Sequence, residues 1–278
     1  MKPICIEFPR EEKEFGPHAV YQESVAETFP LHTHDFYEIF LVAGGKAIHE
    51  VNGASQLLSK GSLVYIRPED VHCYKAFNYF DFKLFNVGYL PDDFLPILRY
   101  LEIPLSVITE PELPVHLEIT GDEFEYLAAQ LGKLAKLFPN RKCRTLFRSF
   151  VSAIYYPFVM DGNPSIRLQS QKIPQWMIQL DKQMSVRDNY IKGTKRIYEL
   201  SNYSQPHIIR SFQKYFQMSP TEYVNSKRMN YVCELLLTQQ HSVSEICYIA
   251  GFNNLSYFYN VFHKMYHCTP TEFLKRNV

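Results

Sequence analysis

From Ala19 to about Val87 the apolar residues come in short runs rich in Val, Ile, Phe and Tyr, broken by turn signals at Gly44-Gly45, Asn52-Gly53 and Ser59-Lys60-Gly61. Runs of that length between such breaks predict an antiparallel β-sandwich or barrel. Asn52-Gly53, between AIHEV and ASQLL, is a type I′ hairpin signal, because both turn residues tolerate positive φ. GSLVYIRPEDVHCY predicts a strand, a Pro-stopped turn and a second strand. Between Tyr89 and Pro114 the text is irregular and punctuated by Pro. The period then changes to that of amphipathic helices, predicted over 122–138 and 141–159, with Phe124, Leu127, Leu131, Leu134 and Leu137 or Phe138 on one stripe of the first. DGNPSIRLQSQK, at about 161–172, is poor in apolar residues and reads as a linker.

Beyond it a pattern is written twice. SFQKYFQMSPTEYV at 211–224 returns as VFHKMYHCTPTEFL at 261–274, with Phe212, Lys214, Pro220, Thr221 and Glu222 recurring as Phe262, Lys264, Pro270, Thr271 and Glu272. Agreement in hydroxyl, aromatic and aliphatic character at the remaining positions marks an internal duplication. Each copy ends one helix and begins another at Ser-Pro or Thr-Pro, where the hydroxyl suits an N-cap and the proline the first turn. A shorter helix precedes each copy, in RIYELSNYS and in VSEICYIAGFNN, giving helix-turn-helix spacing with Gly251 available for the positive φ of the turn. From Pro220 to about Thr238 nothing interrupts a helical stripe, so one helix of roughly 27 Å, at ~1.5 Å per residue, joins the two units.

The net charge of zero conceals an asymmetry: residues 171–278 carry thirteen Lys and Arg against seven Asp and Glu, and residues 1–170 sixteen against twenty-two. The two halves therefore face different partners. The N-terminus lacks the basic-then-apolar order of a signal peptide and no run approaches a membrane span, so a cytoplasmic protein is expected. The six cysteines are scattered without a C-x-x-C and are assigned no chemistry, the default being free and mostly buried thiols.

The duplicated units resemble the C-terminal domain of the AraC/XylS family of bacterial transcription regulators, above all in IAGFNNLSYFYNVFHKMYHCTPTEFL. Gln217 and His267 depart from it, standing at helix ends where the family has Gly. The resemblance implies sequence-specific binding of double-stranded operator DNA. Carried over, the positions entering the major groove are Pro206, Ile209 and Arg210, then Leu255, Ser256, Tyr259 and Asn260. The chemistry suits the role: Arg210 can pair with guanine O6/N7, Asn260 with adenine N6/N7, and Ile209 and Leu255 can touch thymine methyls. Lys192, Lys195, Arg196, Lys214 and Lys264 are candidates for phosphate contacts, which set register without reading sequence.

A second constellation lies in LHTHDFYEIFLVAGG. His32 and His34, two apart in a strand, share a face, and the same strand pattern puts Glu38 on it; a further strand can bring in His72. Three imidazoles and a carboxylate suit a divalent transition metal such as Zn, Ni, Fe or Mn. The pieces look like the two cupin motifs, with Asn78 six residues after His72, although Glu69-Asp70 replaces the usual small residue of the second. Relatives that sense sugars use such a face for hydrogen bonds without a metal, so both uses stay open. HTHDFYEIFLVAGG, AIHEVNG and IRPEDVHCY are most similar to the chitobiose-operon regulator type, which implies a phosphorylated chito-oligosaccharide effector.

The expected fold is α+β with two domains: a cupin-like β-sandwich with dimerising helices over 1–160, a linker over 161–172, and an all-α domain of two helix-turn-helix units over 173–278. The expected function is a transcription regulator controlled by a small-molecule effector, a sugar or sugar phosphate held by His32, His34, Glu38 and His72. A homodimer is expected, with RNA polymerase as partner if the protein activates. The alternative makes the cupin domain a metal-dependent isomerase or oxygenase, which the same four residues would suit.

Overall fold

The computed structural model describes residues 3–23, 30–78, 80–159, 166–168 and 171–277. They form two compact units, Met1–Ala76 with Phe82–Gln171 and Phe77–Asp81 with Lys172–Val278. The strands of the first unit are β1 (Ile4–Ile6), β2 (His18–Gln22), β3 (His32–His34), β4 (Tyr37–Gly44), β5 (Lys46–Val51), β6 (Ala54–Ser59), β7 (Ser62–Ile66), β8 (His72–Ala76), β9 (Lys83–Tyr89), β10 (His116–Ile119) and β11 (Ile166–Leu168). One sheet has the order β1-β3-β8-β5-β6 and the other β11-β10-β7-β4-β9-β2. Neighbours run antiparallel except β1 and β3, which are parallel. The hairpin between β5 and β6 turns on Asn52 and Gly53 at φ 47° and 79°, the two positive values a type I′ turn needs.

Alternation along β4 sets up three layers. Tyr37, Ile39 and Leu41 face a helical layer and join its apolar core, whereas Glu38 reaches His34 and Phe40 packs on His49 and Tyr74 of the other sheet. The helices are α1 (Pro91–Tyr100), α2 (Ser106–Thr109), α3 (Gly121–Leu137) and α4 (Lys142–Val159). Phe124, Leu127, Leu131 and Leu134 of α3 are buried in one cluster with Ile39, Leu41 and Leu63 of the sheet and with Phe147 and Phe150 of α4. That corrects the assignment of this leucine stripe to a dimer contact: its partner is the sheet of its own chain, and full burial of each such side chain contributes on the order of 2 kcal/mol there.

Within the stretch read as a linker, 161–165 and 169–170 lie outside the described residues, and Ile166–Leu168 are a strand, β11, antiparallel to β10 with Leu117 opposite Leu168. The backbone partner in β10 makes that strand; three residues carry no periodicity to announce it.

The second unit contains α5 (Gln175–Met184), α6 (Arg187–Tyr190), α7 (Thr194–Leu200), α8 (Gln205–Phe216), α9 (Pro220–Thr238), α10 (Val243–Ile249), α11 (Leu255–Tyr266) and α12 (Pro270–Asn277). The pairs α7–α8 and α10–α11 are the two helix-turn-helix units, joined by α9. The duplication extends to the caps. At α9 the Ser219 hydroxyl accepts from the Glu222 amide (3.2 Å) while the Glu222 carboxylate accepts from the Ser219 amide (3.0 Å). Thr269 and Glu272 do the same at 3.2 and 2.8 Å, so the recurring glutamate is explained as half of a capping box.

Gln217 and His267 adopt left-handed conformations at φ 50° and 54°, where a glycine would sit without strain. Gly251 is required on two counts: its φ is 85°, and a Cβ there would lie 2.5 Å from the carbonyl oxygen of Ile191. Of the cysteines, Cys143, Cys233, Cys247 and Cys268 are buried and all six are free thiols. No described helix is long and apolar enough to cross a membrane.

Candidate functional site

His32 and His34 leave β3 on the face turned toward the second sheet, and β8 brings His72 directly opposite His32. Ligand atoms of His32, His34 and His72 all lie within 4.8 Å of one another, and all three residues are buried. Glu38 reaches them by a route the sequence pattern misplaced. Asp35 and Phe36 break the strand after His34, so Glu38 belongs to β4 in the other sheet and faces the histidines across the sandwich, with its Oε2 at 3.3 Å from His34 Nε2. The break is held by the Asp35 carboxylate, which accepts from the amide of Phe8 at 2.7 Å.

The turn before His72 is fixed by Asp70, which is fully buried. Its carboxylate accepts from Nε and Nη2 of Arg67 at 2.9 and 2.7 Å, from the Arg67 amide at 2.8 Å and from Asn52 Nδ2 at 2.7 Å. Arg67 in turn donates to the carbonyls of Thr109 and Pro111. The acidic replacement in the second motif therefore serves as the internal tie of this loop, a bidentate and charge-assisted one. Asn78 does not join the histidines: it belongs to the second unit, where the Tyr266 hydroxyl donates to its Oδ1 at 3.3 Å.

The site includes a fourth histidine not singled out in the sequence. His49 of β5 is fully buried, and its Nε2 lies 3.3 Å from His72 Nδ1. AIHEV reads simply as an alternating hairpin strand, and only the pairing of β5 with β8 brings His49 beside His72. That contact, like the one from His32 Nδ1 to the Pro30 carbonyl at 2.8 Å, orients a ring through its outer nitrogen and turns the other nitrogen inward. Burial draws His49 and His72 down to about 3; Glu38 pulls His72 the other way, and the neighbouring histidines add to the depression of both. Glu38 is disfavoured as an anion by its burial, but the hydrogen bond with His34 and the fields of His72, His34 and His32 outweigh this and lower its pKa. At neutral pH His49 and His72 are therefore neutral imidazoles, and Glu38 beside them is a carboxylate. Glu38 Oε1, His34 Nδ1 and His49 Nδ1 are buried without a hydrogen-bond partner among the described residues, a state that calls for a ligand, ion or water.

His32, His34 and Glu38 border a pocket of about 250 Å³, whose other walls include Ile6, Phe8, Val20, Phe36 and Asn86. His18 also lines it, held by Glu12 through Nδ1.

In the second unit the inward positions of the two long helices are Ile208, Phe212 and Phe216 in α8 and Phe258 and Phe262 in α11, all at most 1 % exposed. Pro206, Ile209, Arg210 and Lys214 lie on the exposed side of α8, and Leu255, Ser256, Tyr259, Asn260 and Lys264 on that of α11. Three of the phosphate candidates are paired within the protein. Lys264 Nζ is 3.3 Å from Glu222 Oε1, and Arg196 donates to Asn189 and Glu199 at 2.8 and 3.1 Å. Lys192 is exposed, and Lys195 lies 3.8 Å from Glu199 on an exposed face.

The family model for an AraC-like ligand binding domain matches residues 16–147, and one for a helix-turn-helix domain matches residues 199–276. The chain belongs to the AraC family of transcription regulators. The AraC-family relative RhaS of Salmonella typhimurium, an HTH-type transcriptional activator, is 23 % identical over 267 residues, 92 % of this chain and 91 % of its own length. Among solved structures, unsaturated fatty acid bound ToxT of Vibrio cholerae covers 93 % of this chain and 94 % of its own, at 15 % identity and a TM-score of 0.37. The xylose-binding activator xylR covers 48 % and 39 % at 18 % identity and a TM-score of 0.32. This AraC-family protein is thus a DNA-binding transcription regulator with a small-molecule-binding domain, and not the isomerase or oxygenase of the alternative reading.

Proposed function

We propose that this regulator senses a hydroxyl-rich small molecule, a sugar or sugar phosphate, in the pocket of its first unit, and that His32, His34, Glu38 and His72 hold it together with a divalent transition metal such as Zn, Ni, Fe or Mn. The observation that carries the reading is the convergence of three buried histidines and one buried carboxylate with an unpaired oxygen, of which His32, His34 and Glu38 line the pocket. Neutral nitrogen ligands and one anion are the donor set such metals take, and when bound the metal would supply a Lewis-acidic contact for sugar hydroxyls or an amine. His49 orients His72 from behind. Phe8, Phe36 and Val20 offer apolar walls for the C–H faces of a sugar ring, and Asn86 a polar one.

A second reading is favoured by one distance. His34 Nε2 and His72 Nε2 are 3.1 Å apart, so a single ring proton can satisfy both, and the histidines then serve as hydrogen-bonding walls without an ion. Thermal melting against mono- and disaccharides, amino sugars, chito-oligosaccharides and their phosphates, with and without added metal, separates the two, because a ligand bound by the native state alone raises its stability by mass action. Stabilisation by a sugar that a chelator abolishes is expected. Stabilisation unaffected by chelation supports the second reading, and none by any sugar contradicts the effector class.

On the DNA side, α8 and α11 enter successive major-groove segments of an operator, as the exposed Arg210 and Asn260 allow. With a duplex selected from a random library by the wild-type chain, Arg210→Ala and Asn260→Ala are each expected to relax specificity at one base pair, at about 1 to 3 kcal/mol. Lys214→Ala weakens binding to all sequences alike; a uniform loss for all three variants would refute the groove-facing assignment. The regulator works in the cytoplasm, as a homodimer, and contacts RNA polymerase where it activates.

A further inference from the structure

Between the two helix-turn-helix units the structure holds a cleft of about 360 Å³, lined by Lys192, Lys195 and Arg228 on one side and by Asn253 and Tyr257 of the second unit's turn and helix on the other. Among the described residues that line it none is acidic. Its shape is rigid. Gly251, in the turn of the second helix-turn-helix, presses against the Ile191 carbonyl so closely that no side chain fits between, and Asn225 Nδ2, buried in α9, donates to the Tyr257 hydroxyl at 2.8 Å.

Of the three cations that line the cleft, Arg228 is the partly buried one. Its Nε and Nη2 donate to the carbonyls of Tyr190 and Ile191 at 3.2 and 2.6 Å, and its guanidinium lies 5.2 Å from the ring centroid of Phe252. Those contacts fix the group but do not neutralise it, and no ion pair to a carboxylate is formed by Arg228 among the described residues. Burial lowers its pKa, with only Tyr257 opposing. Elsewhere in this unit the buried cation Lys227 has its carboxylate, Asp181, at 2.8 Å. A partly buried guanidinium held by two carbonyls, in a cleft lined also by Lys192 and by Lys195, whose Glu199 partner at 3.8 Å stands outside the lining, is suited to receive an anion.

We propose that this cleft seats a DNA phosphate, the one on the backbone that passes between the major-groove segments entered by α8 and α11. The assignment rests on the DNA-binding reading and deepens it. It makes the junction of the two units a clamp on the DNA backbone, with Arg228 as its fixed element and Lys192 and Lys195 at its rim. A phosphate held there ties the two recognition helices to one register, which contacts made by each unit alone cannot do.

Selection of a duplex by the wild-type chain tests the groove reading by itself; two variants then test the cleft. Asn253→Asp places a carboxylate in the cleft at nearly unchanged shape, on an exposed residue. It is expected to weaken binding at least about tenfold, equally for the selected duplex and a scrambled one, with melting unchanged or raised. Lys192→Gln with Lys195→Gln is expected to make the slope of log affinity against log salt shallower by about 0.9 per lysine. Affinity and salt slope unchanged in both variants would overturn the proposal, as would a loss confined to the selected sequence. Stabilisation of the wild-type chain by inorganic phosphate that Asn253→Asp abolishes, with duplex binding intact, would assign the cleft to a free anion and overturn it equally.

Discussion

Leu131→Glu is expected to destabilise the first unit by at least about 4 kcal/mol, enough to unfold it or to leave it insoluble. Leu131 is 1 % exposed and sits in one cluster with Ile39, Leu41 and Leu63 of the sheet and Phe147 of α4. Removing the leucine costs the transfer energy of its methyl groups, and the glutamate, of similar volume, buries a carboxylate among apolar side chains. Thermal or urea unfolding of the full chain measures the loss. A folded variant with unchanged melting and altered sedimentation would return the α3 stripe to a contact between copies of the chain.

In the second unit the largest effect is expected at Asp181. Its carboxylate accepts from Lys227 Nζ at 2.8 Å and from the Tyr223 hydroxyl at 2.7 Å, and Lys227 also donates to Ser185 at 3.2 Å. Asp181 and Lys227 are 4 % and 8 % exposed. Asp181→Ala takes the Asp181 carboxylate away from the buried Lys227 ammonium, at a cost of about 3 to 5 kcal/mol, whereas Asp181→Ala combined with Lys227→Met removes both charges and is expected to recover most of it. Denaturant unfolding of the two variants decides between them. Equal destabilisation would mean that packing rather than charge holds α5 to α9.

The helical half was legible because its signals are local and repeated. A hydroxyl before Pro, a glutamate two residues after that Pro and a helical stripe fix where α9 and α12 begin, and the same text fifty residues apart gives two of each element. Glycine's absence at Gln217 and His267 did not hide the helix ends, since the left-handed residue is set by the caps on either side. The ligand domain was legible in its strands and hairpin but not in its pairings. Periodicity says that α3 has a buried face and not what covers it, which is why the leucine stripe was misassigned. His49 and Glu38 join the site through partners far along the chain: β5 beside β8 for the first, and the opposite sheet for the second. The capping role of Glu222 and Glu272 was visible as repetition, and its reason only in the hydrogen bonds.

The pocket and the DNA-binding unit meet functionally in one requirement: an effector shifts an equilibrium only by its differential affinity for two states. Glu38→Gln keeps the shape of the site and removes the one charge that balances a bound divalent ion. The most direct measurement is therefore metal content and effector-dependent transcription from a reporter, taken together on the purified and the expressed Glu38→Gln protein, with the sugar that best stabilises the wild-type chain as effector. Predicted is a variant without metal and without response that still binds the selected duplex, because Arg210 and Asn260 are untouched. Full induction by a Glu38→Gln protein shown to be free of metal would contradict the metal-assisted site and leave His32, His34 and His72 as hydrogen-bonding walls of the pocket.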